Sequence, residues 1–84
     1  MINQCSLDFL TQGEVAYFIY RDRGYFTRVI GKFEKKIGDS AVVGAHYWFR
    51  RWEITDKWPR EQTIGKSRII PHVEEVYTSD SIFD

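Results

Sequence analysis

Three β-like runs, Glu14 to Tyr20 (EVAYFIY), Tyr25 to Glu34 (YFTRVIGKFE) and Ala41 to Phe49 (AVVGAHYWF), follow one another with only short connections. β-branched and aromatic residues dominate each run, and Arg21-Asp22-Arg23-Gly24 and Lys35-Lys36-Ile37-Gly38-Asp39-Ser40 read as the two turns. Parallel neighbours need a crossover of a dozen or more residues, so these strands are expected to pair antiparallel as a meander. Gly31, alone inside the second run, marks a bulge or a strong bend.

From Arg50 to Lys66 the periodicity fails, and Trp58-Pro59 followed by Arg60-Glu61-Gln62-Thr63 reads as a loop with at most one helical turn. Ser67 to Ile70 and Glu74 to Thr78 are short strands separated by Pro71, and residues 1–12 read as a loosely ordered N-terminal segment. With 84 residues, 43% of them hydrophobic and 17% aromatic, the chain suffices for one small domain over 1–84 whose core uses most of the large apolar residues. The expected fold is mainly all-β: a small, bent antiparallel β-barrel with short helical turns.

Several function classes lose their support at this level. Twelve basic and twelve acidic side chains cancel, which removes the electrostatic footprint of a dedicated nucleic-acid binder. One cysteine, Cys5, forms no intrachain disulfide, and with two histidines no zinc cluster is expected, so neither metal nor cofactor is assigned. No run approaches the ~20 apolar residues of a membrane span, and the N-terminus lacks a signal-peptide pattern; a soluble, intracellular chain without membrane contact is expected. No nucleophile stands beside a base in sequence, and the carboxylates are scattered among loops. His46 reads as a sheet-facing residue, and no catalytic residue is assigned. Phosphate-cradling glycine patterns are absent.

The aromatics remain. Within Ala45 to Ile54 (AHYWFRRWEI), alternation puts Tyr47 and Phe49 on one face of a strand and Trp48 on the other. One face can be core, and the other is available for recognition of a cation. A methylated lysine spreads its charge over methyl groups and is poorly hydrated, so rings meeting around it can hold it, each contributing ~0.5 to 2 kcal/mol. Tyr25, Tyr47 and Phe49 are the candidate walls.

Four blocks in this sequence resemble the bromo-adjacent homology (BAH) domain of chromatin proteins. Val15-Ala16-Tyr17-Phe18 is similar to its opening strand, and Tyr25-Phe26-Thr27-Arg28-Val29-Ile30, with Phe33-Glu34 after it, is similar to its Tyr-Val-Ala-Arg-Ile strand and Phe-Glu. Tyr47-Trp48-Phe49-Arg50 resembles Trp-Phe-x-Arg, and His72 to Asp80 (HVEEVYTSD) resembles His-x-x-Glu-Val-Phe-x-Ser-Asp. Arg51-Trp52-Glu53-Ile54 looks more like the domain of the largest origin-recognition subunit and its silencing relatives than like members with Arg-Pro-Glu-Glu. The family domain continues beyond the Ser-Asp segment, so the resemblance is to a minimal or truncated form.

The resemblance implies a twisted β-barrel of BAH or SH3-like type that reads histone tails or nucleosomes in the nucleus, without enzymatic activity or metal. It places Tyr25 and Tyr47 at cage positions, Tyr47 standing where the family usually has Trp. Phe49 falls on a position that is aromatic in trimethyl-lysine readers, Glu53 on the acidic position facing the ammonium, and Trp52 as a substitute cage aromatic. A carboxylate there would favour a dimethylammonium, which keeps one N–H to donate. Two alternatives stand beside this reading. One is a protein interaction module, for another chromatin protein, using Trp48, Trp52 and Trp58 with Arg50 and Arg51. The other is nucleosome or nucleic-acid contact through Lys35, Lys36, Arg50, Arg51 and Lys57.

Overall fold

The computed structural model describes residues 2–49 and 63–79, with the backbone alone at 2, 49 and 79. Among the described residues six strands form one sheet: β1 (Ile2–Cys5), β2 (Val15–Asp22), β3 (Tyr25–Ile37), β4 (Ser40–Phe49), β5 (Arg68–Ile70) and β6 (Val73–Ser79). A 3-10 turn, Leu7–Phe9, follows β1 and is capped by the Ser6 side chain, which accepts from the Asp8 N–H. No helix among the described residues is long and apolar enough to cross a membrane.

The meander read from the sequence is the centre of this sheet. β2 pairs antiparallel with β3 from Val15↔Lys32 to Asp22↔Tyr25, across a two-residue turn at Arg23-Gly24. Both turn residues have positive φ, 52° and 86°, the requirement of a type I′ turn and one that glycine meets at little cost. Charged Lys35 and Lys36 and exposed Ile37, read from the sequence as connection, continue β3 instead, and the β3–β4 turn is only Gly38-Asp39. A two-residue hairpin loop keeps the strands paired up to the turn, so even solvent-exposed residues stay extended.

The bend at Gly31 is present. Between Gly31↔His46 and Phe33↔Val43 one extra residue lies on β4, and between Phe33↔Val43 and Lys35↔Val42 one extra residue lies on β3. A Cβ at position 31 would sit 3.1 Å from the His46 Cβ and 3.2 Å from the Val43 Cβ, so the strands approach there as only glycine permits.

The strand order is β1-β6-β2-β3-β4-β5, with every pair antiparallel. β5 and β6 are four strand steps apart in that order, roughly 19 Å in a flat sheet. Yet only Pro71 and His72 join them, and Ile70 to Val73 can span at most about 11 Å. The sheet must therefore curl until its β5 end returns toward β6. The Val73 N–H donates to the Asp39 carbonyl at 2.9 Å, and His72 Nδ1 meets the Asp39 carboxylate at 2.8 Å, which pins the start of β6 to the β3–β4 turn. Among the described residues no pairing joins β1 to β5, so the protein is a strongly curled open antiparallel sheet.

The concave face holds the main core: Ala16, Phe18, Tyr20, Val29, Phe33, Ala41, Val43, Ile70 and Val76, flanked by Cys5, Leu7, Leu10, Trp48 and Val73. A smaller cluster of Val15, Tyr17 and Ile30, flanked by Tyr47 and Tyr77, lies on the opposite face. β2 is buried on both faces from Val15 to Tyr20, which is why its sequence is apolar without alternation. The N-terminal segment, expected to be loose over 1–12, is instead tied into the sheet. β1 pairs with β6 from Ile2↔Ser79 to Cys5↔Val76, and the half-buried Cys5 packs against the core. Backbone hydrogen bonds, not an apolar pattern, recruit it.

Candidate functional site

β4 carries two aromatic sets to two faces. His46 and Trp48 face the concave side, and Tyr47 faces the other. The one-residue bulge between Val43 and His46 makes this possible: both turn inward although they lie three positions apart, an odd offset. Trp48 stands directly across from Val29, whose other neighbour is Phe18, and Tyr20 is the next inward residue on β2.

The result is an aromatic cluster at the upper end of the curl. The Trp48 and Tyr20 ring centroids are 6.1 Å apart with the planes at 56°, and the His46 ring meets Trp48 edge-on at 5.9 Å and 85°. His46 is 2% exposed, and its Nδ1–H donates to the Gly44 carbonyl at 2.9 Å, which fixes the ring against Trp48. The role read from the sequence for His46, a sheet-facing residue, is the one it has. Burial pushes the Tyr20 hydroxyl above its ordinary pKa, the charge of Asp22 adds to this, and Arg68 opposes it. Two opposite charges therefore reach the same phenol.

Arg68 supplies the most direct sign of what this cluster can hold. β5 pairs Arg68 with Val43 at the sheet edge, and the guanidinium carbon lies 4.6 Å above the centre of the half-buried Trp48 ring. A cation over an indole face is the strongest of the side-chain cation–aromatic arrangements. Arg21 does the same over Phe26 on the other face, also at 4.6 Å, where an exposed ion pair with Glu74 accompanies it.

The site residues read from the sequence fall in three places. Tyr25 opens β3 across from Asp22, 78% exposed, and side-chain alternation from Tyr25 to Val29 puts it on the concave side with Trp48. Tyr47 pairs with Ile30 and packs on the opposite face beside Val15 and Tyr17. Phe49 pairs with Arg28 and shares the backbone register of Tyr47. Since β3 runs from Tyr25 to Ile30 without a bulge, the five-residue offset sends Tyr25 and Tyr47 to opposite faces. The three do not wall one hollow. Glu53, Trp52 and Trp58 lie outside the described residues.

Of the basic residues weighed for nucleic-acid contact, Lys36 is paired with Asp8, Lys35 is exposed, and Arg50, Arg51 and Lys57 lie outside the described residues. A separate cleft of about 440 Å³, between β1, the 3-10 turn and the β3–β4 turn, is lined by Cys5, Leu7, Asp8, Lys36, Asp39 and Glu74 among others. Among the described residues no three His, Cys, Asp or Glu side chains gather in a metal-binding group. No family model, no curated protein and no solved structure matches this chain.

Proposed function

We propose that this chain is a chromatin-associated binding module of the BAH type, a small, strongly curled antiparallel sheet that holds a histone tail by the methylated lysine side chain. Its cation seat is the concave face of Trp48, with Tyr20 as the second ring and Tyr25 on the same face nearer the β2–β3 turn. The observation that supports the reading is the guanidinium of Arg68 over the Trp48 ring at 4.6 Å, a cation already resting on the ring face assigned to the ligand. The four sequence blocks that resemble the BAH family supply the partner class and the nuclear setting, and binding rather than catalysis is the activity proposed. Asp22, whose charge reaches the Tyr20 hydroxyl, is the acid that favours a methylammonium still able to donate an N–H.

Calorimetric titration with histone-tail peptides bearing unmodified, dimethylated and trimethylated lysine tests this. Methylated peptides should bind more tightly, and Trp48→Leu should remove the preference while Tyr47→Ala keeps it. Equal affinity for methylated and unmodified peptides would overturn the proposal. A second reading, a protein interaction module without a cage, is favoured by the exposure of both Tyr25 and Phe26 at the β2–β3 hairpin tip. Capture of one protein partner that depends on those two residues and ignores methylation would support it.

A further inference from the structure

We infer that Arg68 is a built-in competitor for the Trp48 seat, so that an incoming methylated ammonium must displace its guanidinium, and Arg68 sets how tightly the module holds its ligand. This rests on the reading of Trp48 as the cation seat. The guanidinium lies 4.6 Å from the ring centre, over the face that a ligand cation would need. Two cations cannot share that face, since they would overlap in space and repel.

The contact is also placed to yield. Arg68 begins a three-residue strand that, among the described residues, pairs with β4 and lies at the sheet edge, and the residue itself is exposed. Among the described residues no carboxylate forms an ion pair with it, and its guanidinium rests on the Trp48 ring. A long, exposed side chain whose contact among the described residues is this cation–aromatic one can swing into solvent without unpairing the strand, because Val43↔Arg68 is a backbone register. The phenol of Tyr20, influenced by both Asp22 and Arg68, would exchange one cationic neighbour for another when the ligand enters.

The test uses tetramethylammonium chloride as probe, at constant ionic strength against sodium chloride, followed on the Trp48 indole N–H of the ¹⁵N-labelled protein. Arg68→Ala should bind the probe roughly two- to five-fold more tightly than the parent, the span set by losing one exposed cation–aromatic contact. Arg68→Lys should fall between, because an ammonium is more strongly hydrated than a guanidinium and covers the ring less well. Backbone amide spectra confirm that the exposed substitutions leave the fold intact. If the parent binds and Arg68→Ala binds equally or more weakly, Arg68 is no competitor and the inference falls while the seat survives. If neither protein binds at Trp48, the seat itself is refuted, and the inference with it.

Discussion

Replacing Gly31 by alanine strikes the bend on which the register of the cation seat depends. The added Cβ would lie 3.1 Å from the His46 Cβ, 3.2 Å from the Val43 Cβ and 3.3 Å from the Ala45 carbonyl oxygen. Carbon atoms in contact settle at about 3.5–4.0 Å, so both Cβ neighbours must retreat by several tenths of an ångström. Neither can do so by turning a side chain, because the atoms met are Cβ and backbone, and Val43 and His46 are both buried. Overpacking of this kind costs ~1–3 kcal/mol, offset by about 0.4–1 kcal/mol from the stiffer unfolded chain. The net loss is about 1–2 kcal/mol, which for a domain of this size lowers Tm by roughly 5–15 °C. Thermal and urea melts followed by far-ultraviolet circular dichroism measure it. Gly65→Ala is the control: among the described residues no atom beyond its chain neighbours lies within 4 Å of that Cβ, so its stability should be unchanged or slightly raised. A Gly31→Ala protein as stable as the parent would refute the close approach and, with it, the register that turns His46 and Trp48 inward.

Other outcomes follow from single contacts. Arg23→Asn should stabilise the domain by ~0.5–1 kcal/mol in urea melts, because Arg23 holds φ at 52° in a type I′ turn where asparagine is more at ease. Burial, with a contribution from the charge of Glu14, raises the pKa of the Cys5 thiol. Its alkylation by iodoacetamide at neutral pH should therefore be slower in the folded protein than in urea. Asp39 has its carboxyl held below the usual range, chiefly by the hydrogen bond from His72. A lowered folded pKa adds stability above the ordinary carboxylate range and loses it as pH falls through the folded value. Asp39→Asn should accordingly narrow its urea-midpoint deficit relative to the parent on going from pH 7 to pH 3.

The strand cores, the Gly31 bend and the split of Tyr47 from Trp48 were legible because they rest on local rules: β-branched content, an isolated glycine and a side-chain period of two. The inward side was not legible. β2 is buried on both faces, so EVAYFIY carries no alternation to orient its neighbours. β1 was invisible for a different reason: Ile-Asn-Gln-Cys is recruited through backbone pairing with β6, more than seventy residues away in sequence. The sequence marks Trp48 as an interaction residue, but its contact with Arg68 depends on the long-range pairing of Val43 with Arg68 and on a bulge that flips parity. The grouping of Tyr25 with Tyr47 fails because alternation within one strand does not fix the register between strands, and the observed pairing of Tyr47 with Ile30 sends the two rings to opposite faces.

Chemical-shift mapping of a dimethyl-lysine histone-tail peptide onto the ¹⁵N-labelled protein is the most direct measurement of where a cation binds. Saturable shifts should centre on the Trp48 indole and on the backbone of Tyr20 and Arg68, with Tyr47 and Ile30 on the opposite face undisturbed. Shifts centred on Tyr47, or no saturable shift at Trp48, would contradict it.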